Sequence, residues 1–139
     1  MMKKLLIAVS CMLFLVSCGG GKKGPEKKDL DITGIWQLTS VSTKASVGNV
    51  QVDVYIEFAA SSFTIYQKIG EGRYKHFTGT YVLEGTSLSG KYSDNKPWGA
   101  VYDVTRDGET LVLGPQGGTE KDTYKKVSSI PSSVTDNIY

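Results

Sequence analysis

An all-β domain of eight antiparallel strands, an up-and-down barrel or a sandwich, is the fold this sequence predicts. Three observations carry the prediction. No helical period of useful length follows residue 33. Short runs of alternating apolar residues recur instead, separated by glycine, asparagine, aspartate and proline. Eight tyrosines and two tryptophans among 139 residues belong to the residue types that strands favour. The runs are 35–41, 50–58, 63–69, 73–83, 86–93, 98–105, 110–113 and 119–127. Joined in chain order by tight turns, they pair antiparallel and either close or stack.

The chain ahead of these runs is an address. Met1-Met2-Lys3-Lys4 gives a short basic start, and 5–16 is an apolar run too short to span a bilayer, which is the plan of a secretory signal. Leu15-Val16-Ser17-Cys18 reads as a bacterial lipobox, with a small residue directly before the cysteine. Residues 1–17 are therefore expected to be a lipoprotein signal peptide. Cys18 is expected to carry lipid, palmitate included, and to hold the chain at a membrane of the cell envelope. Cys11 leaves with the signal and Cys18 is spent on lipid, so the mature domain has no disulfide and relies on its apolar core. Removing Lys3 and Lys4 leaves basic and acidic residues equal in number, which excludes a nucleic-acid footprint. Residues 18–33 read as a solvated tether. Its lysines, Lys22, Lys23, Lys27 and Lys28, suit a soluble spacer, with contact to anionic headgroups as the alternative.

Turn lengths predict register, because only one register puts both apolar faces on the same side. A two-residue loop at Asp107-Gly108 pairs Val104 with Leu111 and Tyr102 with Leu113. One at Glu84-Gly85 pairs Tyr81 with Leu88, Gly79 with Gly90 and Phe77 with Tyr92. Gly70-Glu71-Gly72 sets Ile65 opposite Phe77 and Phe63 opposite Gly79. The loop 59–62 pairs Phe58 with Phe63, and 93–97 pairs Tyr92 with Trp98. Chained together, these pairs give an inner row of Ile56, Ile65, Phe77, Tyr92 and Trp98, and beside it a row of Phe58, Phe63, Gly79, Gly90 and Ala100. A slot floored by Gly79, Gly90 and Ala100 is expected between walls carrying Phe77, Tyr92 and Trp98 on one side and Tyr81, Leu88 and Tyr102 on the other. Phe77, Gly79, Tyr81, Gly90, Tyr92, Trp98 and Tyr102 are the candidate ligand-binding residues. The competing expectation is that Trp36, Leu38 or Tyr124 fills this space from across the barrel, since an eight-stranded interior is just wide enough to be filled by side chains. In an open slot, Gly90→Leu abolishes binding and leaves a folded domain.

Gly34-Ile35-Trp36 heads the first strand of this eight-stranded meander and resembles the glycine-x-tryptophan opening of lipocalins. The stretch 34–127 is similar to the small lipocalin-like domains borne by lipoproteins of Gram-negative bacteria. Its most characteristic piece is Leu88-Ser-Gly-Lys-Tyr-Ser-Asp-Asn-Lys-Pro-Trp-Gly99, followed by Tyr102. The resemblance implies a closed barrel whose base is plugged by Trp36, with small apolar molecules as guests. The chain departs from typical lipocalins in being shorter, in lacking a threonine-aspartate-x-x-tyrosine signature, and in having no evident helix after the last strand. The 42–49 connection, STKASVGN, is either a lid across the mouth or a plain surface loop. Gly19 is not the aspartate that holds enteric lipoproteins at the inner membrane, which favours the outer membrane facing the periplasm. In bacteria with such lipoproteins an acidic run after the cysteine promotes surface display. Here the run is Gly-Gly-Gly-Lys-Lys.

Catalytic and metal motifs are not found. His76 is the only histidine and should face outward from its strand. No Cys/His cluster suits zinc, and Asp94-Asn95-Lys96 lacks calcium-loop spacing. Asp53 and Glu57, four residues apart on one strand, are about 13 Å apart, beyond either glycosidase spacing. Gly114-Pro115-Gln116-Gly117-Gly118 is a turn and not a phosphate loop. The expectation is a non-catalytic, monomeric binding protein without cofactor for a small, partly apolar ligand. The alternative is an envelope interaction module whose loops, including 94–97, engage a glycan or a membrane-protein partner around a filled barrel. An enzymatic site built on Gln67 and a tyrosine is the remotest option. The tail, 128–139, either packs as an edge segment or frays.

Overall fold

The computed structural model describes residues 30–41 and 50–139. The signal segment, Cys18, most of the tether and the 42–49 connection lie outside the described residues. Eight strands follow one another: β1 (Gly34–Val41), β2 (Val52–Phe58), β3 (Ser62–Ile69), β4 (Lys75–Glu84), β5 (Ser87–Tyr92), β6 (Tyr102–Asp107), β7 (Thr110–Pro115) and β8 (Asp122–Val127). Each pairs antiparallel with the next, and β1 pairs with β8, so the sheet closes into a barrel with no free edge pair. A bulge between Leu38 and Ser40 shifts the register of β1 against β8.

Trp36 plugs the base. It is fully buried, and its indole N–H donates to the carbonyl of Ile32 at 2.8 Å. Residues 30–33 thus fold under the barrel, with Ile32 only 1% exposed, and do not continue the tether. The Arg106 guanidinium lies 5.3 Å and the Lys126 ammonium 5.7 Å from a Trp36 ring centroid, so two cations cap its π-faces. Arg106 also donates to the carbonyls of Asp31 and Gly108, which ties the β6–β7 turn to the entering chain.

The predicted registers hold for two hairpins and slide in three. Phe58 opposes Phe63, Ile65 opposes Phe77 and Phe63 opposes Gly79, as the sequence predicts. The β4–β5 and β6–β7 hairpins instead turn at Gly85-Thr86 and Gly108-Glu109. Tyr81 therefore opposes Gly90, Gly79 opposes Tyr92, and Val104 opposes Leu113. The cause is the turn type. Gly85 and Gly108 take the first central position with φ of 63° and 59°, as a type II′ turn requires, whereas the sequence reading put glycine second, as in type I′. A two-residue slide keeps every side chain on its own face but moves it along the barrel. The third difference lies at the seam of β5 and β6. Leu88 opposes Tyr102 as the predicted register requires, yet nearer the loop Trp98 N–H bonds to the Gly90 carbonyl at 2.9 Å, so Trp98 sits beside Gly90 and not opposite Tyr92.

That rearrangement removes the expected slot. A Cβ on Gly90 would lie 2.6 Å from Trp98 Cε2, and one on Gly79 would collide with the Lys91 carbonyl and approach Phe63 Cε1 at 2.8 Å. Both glycines permit close approach of neighbours, and neither floors an open space. Ala100 falls in the β5–β6 loop, outside the strands. The bulk that fills the position comes from Trp98 and Phe63, not from Trp36, Leu38 or Tyr124.

The tail packs on the outside. After β8 a four-residue helix, α1 (Ser132–Thr135), buries Val134 against Tyr55 and Tyr74, with Tyr66, Val127 and Ile130 around them. Tyr74 N–H bonds to the Asn137 carbonyl at 2.9 Å and Tyr139 N–H to the Tyr74 carbonyl at 3.1 Å, so the last residues add a short parallel bridge to the start of β4. The phenol of Tyr74 donates to Asp53. A helix after the last strand is thus present where the sequence shows none, because one turn is too short to display a period.

Leucine at position 90 must displace either the Trp98 ring or the Thr80 carbonyl, 2.9 Å from the would-be Cβ. Gly90→Leu is therefore expected to cost about 3 kcal/mol or more in urea unfolding. An unchanged midpoint would mean that Trp98 leaves its seat without cost.

Candidate functional site

Space remains inside the barrel, nearer the mouth than Trp36. It is a cavity of about 130 Å³, partly open to solvent. Its inner wall is Ile56 and Phe58 of β2, Ile65 of β3, Leu88 of β5 and Leu113 of β7. These side chains point inward because they alternate with solvent-facing neighbours along each strand, such as Glu57 beside Ile56 and Phe58. The remaining wall is aromatic and polar: Tyr92 at the end of β5, Trp98 from the following loop, Tyr102 opening β6, and Asp122 and Tyr124 of β8.

Trp98 is held edge-on to two rings, with centroids 5.0 Å from Phe63 and 6.0 Å from Tyr102, and Tyr92 lies 5.9 Å from Phe63. Such T-shaped contacts fix ring orientation beyond simple burial. The Trp98 indole N–H is buried without a hydrogen-bond partner among the described residues. An unpaired buried donor is destabilising, which marks this position as one where a guest oxygen or a water would be stabilising.

The phenols are electrostatically linked to Asp122. Burial pushes the Tyr124 hydroxyl well above the usual phenol range, and the charge of Asp122 adds to the shift. Tyr102 is raised chiefly by burial, then by Tyr92 and Asp122. Both stay protonated at neutral pH, so the polar end of the cavity offers neutral hydroxyls around one carboxylate.

Of the candidate binding residues, Tyr92, Trp98 and Tyr102 line this cavity. Gly79 and Gly90 lie behind Phe63 and Trp98. Tyr81 sits toward the base, its ring 5.1 Å from Phe58 and its hydroxyl donating to the Ala59 carbonyl. Phe77 faces two shallow depressions near the mouth, one with His76 and Asp94 and one with Gln67, Arg73 and Lys75. Gln67 lines the second of these and is not among the residues lining the cavity. Sequence reasoning did not place Asp122 at the site, and it offered Tyr124 only as bulk filling the slot from across the barrel. Their i, i+2 spacing on the last strand was the available signal, but it points inward only once β8 is paired with β1 and β7. His76 stands on the outer face, exposed, with its ring 5.0 Å from Tyr66.

Tyr55, Tyr74 and Tyr81 are likewise raised, each first by burial, above the ordinary phenol value of 10.0. A phenol whose folded value exceeds its unfolded one contributes stability that is full below the unfolded value and is lost as pH rises through the folded one. The urea midpoint should accordingly hold up to about pH 10 and fall steadily above it, with part of the tyrosinate absorbance appearing only on unfolding. Complete tyrosine ionisation in a still-folded protein would contradict this packing.

The lipocalin-like domain model matches residues 32–113. No curated protein matches the chain. A crystal structure of an uncharacterized protein from Bacteroides eggerthii DSM 20697 is similar, with a TM-score of 0.52 and 21% identity, over 70% of this chain and 100% of that one. At that identity the likeness is one of fold. A family match over more than half the residues, on a closed eight-stranded meander opened by Gly34-Ile35-Trp36, means that this chain belongs to the lipocalin-like domain family.

Proposed function

We propose that the domain is a non-catalytic binding protein that takes a small, partly apolar molecule into the cavity between Leu88, Leu113, Trp98 and Tyr102. The observation that carries this reading is the cavity itself: apolar and aromatic walls with a few convergent polar groups, the usual make-up of a small-molecule site. Its volume of about 130 Å³ resembles that of a cavity of about 150 Å³ that holds a benzene, so the guest is compact. The lipobox at Cys18 supports a lipid-anchored protein of the cell envelope, held at the outer membrane and facing the periplasm.

A second reading is favoured by the rim of the mouth. Val41, Val50, Val52, Ile69 and Tyr139 are between 39% and 79% exposed there, on strand ends and chain segments around the 42–49 connection. An apolar rim of this kind suits an interaction module that engages a membrane-protein partner or the apolar face of a glycan.

Native mass spectrometry on protein recovered from its own host separates the two. A stoichiometric small molecule is expected, and Ile65→Trp, which fills the cavity from its wall, should abolish it while the domain stays folded. Bare protein in both forms would move the function to the rim and to crosslinked partners. Cys18→Ser is expected to shift the protein from the membrane to the soluble fraction and to remove the lipid mass. A variant that stays with the membrane would end the anchoring assignment.

A further inference from the structure

On the reading just given that the cavity is a binding site, Trp98 is the one lining residue that lies outside the strands. Ser87 with Asp103 and Leu88 with Tyr102 are the whole ladder between β5 and β6. Toward the mouth, Pro97 bridges to Lys91 and the Trp98 backbone N–H bonds to the Gly90 carbonyl at 2.9 Å. The 99–101 segment therefore holds more residues than a continuous ladder would use, as at a bulge. Gly99 and Val101 are exposed there, and nothing stands within 4 Å of where a Cβ on Gly99 would be. The indole of Trp98 stands at this break in the ladder. Swinging it outward separates no pair of strand residues.

Ring contacts alone hold the indole among the described residues. Its Cε2–Cζ2 edge lies over Gly90, 2.6 and 2.7 Å from a would-be Cβ, and its ring stands edge-on to Phe63 and Tyr102. A bare glycine thus makes the seat a flat slot, shaped for a planar ring. The two indoles of the chain are held differently. Trp36 donates its N–H to the Ile32 carbonyl, whereas the Trp98 N–H is buried without an acceptor. A buried donor left unpaired weakens the hold of that seat on its occupant. A planar guest with no polar hydrogen fits the same slot without that cost.

We propose that Trp98 is a built-in stand-in for a planar, apolar guest of two fused rings, which enters by displacing the indole from its seat between Gly90, Phe63 and Tyr102. With the indole in place the cavity of about 130 Å³ takes a guest no larger than benzene. With the indole swung out, the vacated seat adds the room of two fused rings. Whether Trp98 stays or leaves therefore sets the size of the guest.

Two measurements on the full chain by nuclear magnetic resonance test this. Without any guest, the Trp36 indole N–H should exchange with solvent only through global unfolding, at a rate that rises with urea below the transition. The Trp98 indole N–H should exchange at least about a hundredfold faster and independently of urea, the sign of a local opening. Equal rates with equal urea dependence overturn the displaceable ring. Benzene and naphthalene are then titrated in turn. Naphthalene should bind and abolish the through-space contact between the Trp98 and Phe63 ring protons, while benzene leaves it in place. Naphthalene bound with that contact intact overturns the displacement, as does exclusion of naphthalene by a protein that takes benzene. Binding of neither probe overturns the fused-ring guest, and a different molecule recovered in native mass spectrometry would then leave the broader reading standing.

Discussion

Burying Trp36 with its indole N–H satisfied is the constraint on which the rest of the barrel depends. Its partner is the carbonyl of Ile32, so the chain ahead of β1 has to fold beneath the base. Its ring is covered by Arg106 and Lys126, so β6 and β8 have to end beside it. Three segments, the chain ahead of β1, β6 and β8, are thereby brought to one residue, and the closing pair of β1 with β8 follows from the same geometry. With Trp36 filling the base, the cavity inside the barrel lies toward Asp122, Tyr102 and Tyr92.

What the sequence made legible is the set of strands and the face of each side chain. Alternation is a local property, and all eight strands follow from it. The level of each residue along the barrel was less legible, because two hairpins put glycine first in the turn, and dipeptides such as Glu84-Gly85 do not announce which position the glycine takes. The cavity suffered most, since its walls depend on three hairpins at once and on a loop. Tyr92, Trp98 and Tyr102 were recognisable as an aromatic group, whereas Tyr124 and Asp122 reach it only through barrel closure. The seat of Trp98 beside Gly90 rests on an irregular pairing that no period encodes.

The exterior carries a second, smaller core. Val54, Tyr55 and Ile56 are consecutive and all buried, which a strand with one face in water cannot achieve. The explanation is the tail, whose Val134 covers Tyr55 and Tyr74 on the outer face. Burying one such aliphatic side chain contributes roughly 1.5–3 kcal/mol, enough to order a segment with a single helical turn. The Tyr74 phenol finds its acceptor in Asp53, so the polar tip is satisfied under the tail as well.

The barrel is also polar from end to end. The chain enters beneath Trp36, at the base, while Asp122, Tyr92 and Tyr102 stand at the strand ends nearer the opposite opening. On the proposed reading, in which the cavity takes a guest, loading and unloading would take place at the opening opposite the end where the chain enters beneath Trp36, so exchange of the guest would not require the base to open.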